Sequence, residues 1–150
     1  MNVEIGSAGV TDLPGVMAIE NVAFADPWSS RAFRDAIENP LFYFVCARAN
    51  ERVVGYVVAW FVAGEGEISN IAVSPVAWGH GVGRTLLDAA LNEGSRRSAG
   101  AVYLEVRESN ERARALYDSS GFEEVGRRKG YYRRPIEDAI MLRRTLVSDL

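Results

Sequence analysis

Three glycines alternate at Gly79, Gly81 and Gly83, inside the stretch Asn70-Ile71-Ala72-Val73-Ser74-Pro75-Val76-Ala77-Trp78-Gly79-His80-Gly81-Val82-Gly83-Arg84-Thr85-Leu86-Leu87. With no Cβ, they let neighbouring backbone N–H groups converge without steric clash. A β-branched run ends at Val73, and a helical pattern starts near Gly83. The first amides of that helix have no intrahelical partner, and its positive dipole end points at the same spot. Such a junction binds phosphate. The backbone and side chains of Gly79, His80, Gly81, Val82, Gly83 and Arg84 therefore form a candidate pyrophosphate cradle.

Several phosphate chemistries can be compared with this loop. A P-loop needs Lys-Ser/Thr after its last glycine, and the chain's only lysine is Lys129. A dinucleotide fingerprint fits Gly79-His80-Gly81-Val82-Gly83 in part, with Glu105 about 20 residues beyond. Its third glycine would fall on Arg84 or Leu86, however, and the segment from Ser74 to Trp78 separates the loop from its strand. The acyl-CoA loop of the GNAT N-acetyltransferases, Gln/Arg-x-x-Gly-x-Gly/Ala, matches better through Gly81 and Gly83. It departs at its first position, which is Trp78 here.

The likeness extends well beyond the loop. From Thr11-Asp12-Leu13-Pro14 to Met141 the chain resembles the RimI-type N-terminal acetyltransferases of that family. The matching pieces include Pro27-Trp28-Ser29, Asn70-Ile71-Ala72-Val73, Gly81-Val82-Gly83-Arg84 and Leu104-Glu105-Val106-Arg107. They continue with Ser109-Asn110, Ala115-Leu116-Tyr117, Gly121-Phe122, Tyr131-Tyr132 and Glu137-Asp138-Ala139-Ile140. Each piece is short, and their order and spacing together make the match specific.

The resemblance implies transfer of an acetyl group from acetyl-CoA to an amine. That reaction needs a neutral amine, a polarised thioester carbonyl and a donor to the departing thiolate. An α-amine has a reference pKa of about 8 and a lysine about 10.4, so a neutral lysine costs roughly 3 kcal/mol more at pH 7. A carboxylate base suffices for the α-amine. The resemblance makes Glu105 that base and Tyr117 the proton donor. Read from the residues alone, the solvent side of an amphipathic strand is the favoured place for Glu105 and the core the favoured place for the Tyr117 ring; the resemblance reverses both. Glu67, on the strand leading to Val73, is a rival base. The backbone of Ile71, Ala72 and Val73 is expected to pair with the pantetheine amides as an added strand, and the Val73 N–H to meet the thioester oxygen if the strands splay. Asn110 suits both a helix cap and a polar contact to the pantetheine arm. Trp28, Tyr131 and Tyr132 are candidates for the acceptor pocket and fit ordinary packing as well.

These residues need elements to position them. Apolar periodicity and breakers predict the order β-α-α-β-β-β-α-β-α-β-β. Thr11 is expected to cap the first helix and Ser29 the second, with Pro40 ending it. A hairpin turn is expected at Ala49-Asn50-Glu51, and another turn at Gly64-Glu65-Gly66. Gly94 and Gly100 are expected to end the helix after the glycine loop. Asn110 is expected to cap the next helix and Gly121 to stop it. Antiparallel runs with two crossover helices give an α/β (α+β) fold, a mixed, mostly antiparallel sheet of about seven strands with helices on both faces. That order agrees with the GNAT fold and disagrees with regular βαβ alternation.

Composition narrows the function classes. The 150 residues suit a single domain, residues 1–150. The longest apolar stretch, Val53 to Ala63, is far short of the roughly 20 residues that span a bilayer, so no membrane partner is expected. Glu4 and Asp12 interrupt any signal-peptide pattern, and a cytoplasmic location is expected. Cys46 is the only cysteine and His80 the only histidine. Intramolecular disulfides and multi-histidine metal sites are therefore excluded, and no metal is expected. A net charge of −3 speaks against a general nucleic-acid binder. Arg127-Arg128-Lys129-Gly130-Tyr131-Tyr132-Arg133-Arg134 is a local exception, open to three readings: an RNA grip, a solvated loop between late strands, or, by the resemblance, a frame for the acceptor peptide. The expected partners are acetyl-CoA and a protein or peptide N-terminus. By the resemblance that terminus is the alanine of a ribosomal protein; a small amine or a protein lysine is the alternative acceptor.

Overall fold

The computed structural model describes residues 1–146. Its elements run β1 (Glu4–Ser7), α1 (Leu13–Ala23), α2 (Ser30–Glu38), β2 (Phe42–Ala49), β3 (Arg52–Val62) and β4 (Glu65–Val73). They continue with α3 (Val82–Arg96), β5 (Ala101–Arg107), α4 (Glu111–Ser119), β6 (Glu123–Tyr132) and β7 (Glu137–Thr145). One seven-stranded sheet has the order β1-β2-β3-β4-β5-β7-β6. Every neighbouring pair is antiparallel except β4 and β5.

Apolar residues divide the molecule into two layers about this sheet. On one face α1 and α2 lay Leu13, Val16, Ile19 and Phe33 against Phe44, Tyr56 and Val58. On the other, α3 lays Val82, Leu86, Leu87 and Ala90 against Val57, Ala59, Val102 and Leu104. Leu86 and Leu87 are fully buried, and each contributes roughly 1.5–3 kcal/mol by leaving water. Tyr117 of α4 joins this second core.

The element order matches the sequence reading, and several local expectations are corrected. Thr11 does not cap α1. It lies in a 3₁₀ turn, Val10–Asp12, whose Asp12 carboxylate accepts from the Gly9 N–H at 2.8 Å and pairs with Arg48 of β2 at 2.6 Å. Ser29 does cap α2, its hydroxyl accepting from the Ala32 N–H. Asn50 and Glu51 both take positive φ in the β2–β3 hairpin. Gly66 is a strand residue rather than a turn. Phe61 lies so close that a Cβ there would stand 2.5 Å from its ring. Gly94 does not end α3, which continues to Arg96. It is buried where the helix meets Phe61, Val102 and Leu146, so close packing is the reason for the glycine. The basic segment is not a loop, since residues 127–132 belong to β6.

Two irregularities prepare the site. β4 and β5 pair only through Glu65, Gly66 and Glu67, so residues 68–73 and 104–107 diverge and leave a gap between the strands. The β3–β4 register also slips, from Val58↔Asn70 to Ala59↔Ile68, leaving Ser69 as an extra residue. A bulge reverses the alternation of the strand. Ile68 belongs to the α3 core, while Asn70, two residues on, turns to the α1 face and meets Glu20.

Candidate functional site

The glycine loop closes one end of the gap. Gly79 and Gly81 have φ of +82° and +74°, a region that disfavours side chains, and a Cβ on either would meet nothing within 4 Å. The loop thus presents its backbone to open space at the N-terminus of α3, room that suits a pyrophosphate. Val82 is buried beneath it, while His80 and Arg84 are exposed. The Arg84 guanidinium bonds the Ser119 hydroxyl at the end of α4. Gly83 lies inside the helix, where a Cβ would touch Leu116 at 3.4 Å and Val73 at 3.7 Å. Trp78, the departure from the family loop, has a definite role in bracing it. Its indole N–H donates to the Val73 carbonyl at 2.9 Å, and the Arg112 guanidinium of α4 lies 4.1 Å over its ring.

Strand β4 presents backbone to the gap. The Ser74 N–H bonds the Val54 carbonyl of β3 at 2.8 Å. Alternation then turns the Ala72 groups toward β3 and those of Ile71 and Val73 toward the gap. A ligand lying along the strand can pair there, and the Val73 N–H is directed where an acyl oxygen could be held. Asn110 caps α4 through a bond from the Ala113 N–H at 3.2 Å.

Two carboxylates face the α1 side of the sheet beside this gap. Glu67 ends the β4–β5 pairing opposite Tyr103. Glu105 follows on β5, between Leu104 and Val106, whose side chains enter the α3 core. Burial raises the Glu67 pKa, and the nearby Glu105 charge raises it further. Glu105 is paired with Arg128 of β6 at 3.1 Å. Tyr132 adjoins both sides of the site. Burial first, then Glu105, push its phenol up to about 12. Tyr117 is buried edge-on against Phe122, at 5.8 Å between ring centres. Burial raises its pKa, and Tyr132 adds to the shift. The phenol stays protonated at neutral pH, able to donate and unable to act as a base.

Two segments frame the carboxylates. Residues 24–29 between α1 and α2 carry Trp28, whose ring packs 5.1 Å from Phe33. The β6–β7 hairpin carries Tyr131, which is exposed, and Tyr132, which lies 4.5 Å under the Arg107 guanidinium. Arg107 pins this hairpin through Glu137 at 3.0 Å and the Arg133 carbonyl at 2.7 Å. Asp26 and Arg134 approach to 3.9 Å across the opening. Most cations of the basic segment are therefore engaged, since Arg127 pairs with Glu108 and Glu124. Sequence reading missed Arg107, Glu20 and Asn70 as neighbours of the candidate site, and it marked Arg128 only as part of the basic segment, without its pairing to Glu105. Arg107 and Asn70 lay in matched pieces without a role, and nothing local marked Glu20.

Residues 13–122 match the model of the acetyltransferase (GNAT) family. The ribosomal protein bS18-alanine N-acetyltransferase of Escherichia coli is 37% identical over 85% of this chain and 86% of its own length. The N-alpha-acetyltransferase RimI of Mycobacterium tuberculosis is 37% identical over 95% of this chain and 92% of its own. A crystal structure of the Escherichia coli ribosomal-protein-alanine N-acetyltransferase superposes with a TM-score of 0.90 at 33% identity. It covers 99% of this chain and 97% of that one.

Proposed function

This chain belongs to the GNAT acetyltransferase family, and from that premise we propose that it acetylates the α-amine of a protein N-terminus, an alanine of a ribosomal protein. Its relatives of that name support the acceptor class. The observation that carries the reading is the pair Glu67 and Glu105 on one sheet face beside the gap, with Tyr117 on the other side.

The acetyl-CoA pyrophosphate lies on the amides from Gly79 to Arg84, with His80 at the rim. The pantetheine arm runs along Ile71, Ala72 and Val73, with Asn110 beside it. Glu105 takes the proton of the attacking amine, directly or through water. As the new C–N bond forms, the Val73 N–H holds the carbonyl oxygen. The C–S bond breaks, and Tyr117 donates to the departing sulfur. A thiol has an ordinary pKa of about 8.5, well below that of the buried phenol, so Tyr117 acts chiefly as a hydrogen-bond donor to the thiolate. Trp28, Tyr131 and Tyr132 enclose the acceptor's first residues. Ribosomal proteins and acetyl-CoA meet in the cytoplasm, where we place the enzyme; among the described residues no helix is long and apolar enough to cross a membrane.

Mass spectrometry of a peptide panel with acetyl-CoA tests the acceptor. Peptides beginning with alanine should gain one acetyl group, and those beginning with a bulky residue should react poorly. Turnover of small amines with no peptide labelled would replace this reading.

A further inference from the structure

Glu20 of α1 is only 1% exposed, and no cation lies among its hydrogen-bond partners. Three donors converge on its carboxylate instead. The Trp28 N–H bonds Oε2 at 2.8 Å. The Tyr56 hydroxyl bonds Oε1. The Asn70 amide nitrogen bonds both oxygens, at 2.9 and 3.1 Å. Burying a carboxylate is costly, and the apolar core around it could have been closed with a leucine. The placement of the donors shows what the carboxylate does. One belongs to the segment that frames the acceptor opening. Another stands on β4 directly before Ile71, and is turned toward Glu20 by the bulge at Ser69.

The 24–29 segment has few other ties. The Phe24 N–H bonds the Glu20 carbonyl, which merely finishes α1. Trp28 is fixed by its ring on Phe33 and by its N–H on Glu20. The Glu20 carboxylate is thus a rigid link between the acceptor segment and the cofactor strand. A backbone N–H cannot reverse into an acceptor, whereas the Tyr56 hydroxyl can rotate. The Asn70 amide can flip as well, and its Oδ1 has no partner. Of the three bonds, the one to Trp28 is the one no rotation can replace.

We propose that Glu20 is a positioning residue for acceptor recognition, acting through the Trp28 backbone; this rests on the acceptor assignment given above. Glu20→Gln keeps the volume, and Asn70 and Tyr56 can re-pair with the new amide. The Gln oxygen can hold the Trp28 N–H only by turning its NH₂ toward those two groups. Glu20→Ala removes the link altogether.

The test compares wild type, Glu20→Gln and Glu20→Ala on the best peptide of the panel. Losing a charge-assisted hydrogen bond corresponds to roughly a ten- to hundredfold effect. Glu20→Ala should raise the peptide KM by that factor, with Kd for acetyl-CoA within about threefold of wild type. Glu20→Gln should recover most of the loss. Amide hydrogen exchange at Trp28 should be fast in Glu20→Ala and slow in wild type. If Glu20→Ala lowers only the apparent kcat, in step with the loss of folded protein, and leaves the peptide KM unchanged, Glu20 is merely structural. Unchanged exchange at Trp28 in Glu20→Ala would also overturn the proposal. That readout needs no acceptor, so it separates a failed link between Glu20 and Trp28 from a failed acceptor assignment, in which exchange responds as expected and wild type labels no peptide.

Discussion

Two carboxylates and a phenol lie beside the gap between β4 and β5, and their surroundings differ enough to separate the duties proposed for them. Glu105 is held by Arg128 at 3.1 Å, while Glu67 is raised by burial and by Glu105. Because Glu105 lies farther along the diverging strand than Glu67, we expect it to meet the amine. Glu105→Gln should lower kcat by roughly 10²–10⁴, the usual worth of acid–base catalysis, with acetyl-CoA affinity nearly unchanged by calorimetry. A larger loss in Glu67→Gln would mean that the base is Glu67. Tyr117→Phe should cut turnover by roughly 10²-fold at most and leave peptide KM alone, since the phenol meets only the leaving sulfur. Glu105 and Tyr117 were identifiable from sequence because each sits in a short matched motif. The basic segment drew notice to Arg128, and its partner Glu105 was not legible, because that pair joins strands that are not consecutive in the chain. Glu20 was invisible for the same reason, being brought to Asn70 by the packing of α1 on the sheet.

At the scale of elements, periodicity made the order of strands and helices readable, and glycine misled wherever its purpose was close packing. Gly66 and Gly94 resemble breakers in sequence, yet each makes room for the Phe61 ring. Gly66→Ala should therefore destabilise the fold by about 1–3 kcal/mol, the range for overpacking, measurable by urea denaturation. The bulge at Ser69 and the divergence of β4 from β5 carry no local signal, since both depend on strand pairing. The glycine loop stands where the sequence puts it, between β4 and α3, and Gly81 has φ of +74°. Gly81→Val should sharply weaken acetyl-CoA binding while the sheet persists; wild-type affinity by calorimetry would remove the loop from the site. Asp12, at the entrance to α1, links stability to pH. The hydrogen bond from Arg48 lowers its pKa below the ordinary 3.8. Its contribution is therefore present above that value and lost as pH falls through the lowered one. Asp12→Asn should cost about 1–2 kcal/mol at pH 7 for this partly exposed pair, and the difference from wild type should vanish in strong acid.

Across the whole molecule, the sheet separates two tasks. In the function we propose, the α3 face and the glycine loop take the phosphate-bearing donor. The α1 face, between residues 24–29 and the β6–β7 hairpin, takes the acceptor, and the two meet at the gap between β4 and β5. An α-amine, with a reference pKa of about 8, needs only a carboxylate to become neutral, whereas a lysine demands roughly 3 kcal/mol more. Glu67 and Glu105 can each accept a proton from an amine but do not themselves lower its pKa, so the amine with the lower ordinary pKa is the easier to deprotonate. This favours α-amines over lysines. The most direct measurement uses one peptide that begins with alanine and contains an internal lysine, offered with acetyl-CoA both free and N-terminally blocked, with acetylation sites mapped by mass spectrometry. The free peptide should be labelled at its α-amine alone, and the blocked peptide should remain unlabelled. Equal labelling of the lysine in the blocked peptide would contradict N-terminal acetylation and point to a lysine or small-amine acceptor.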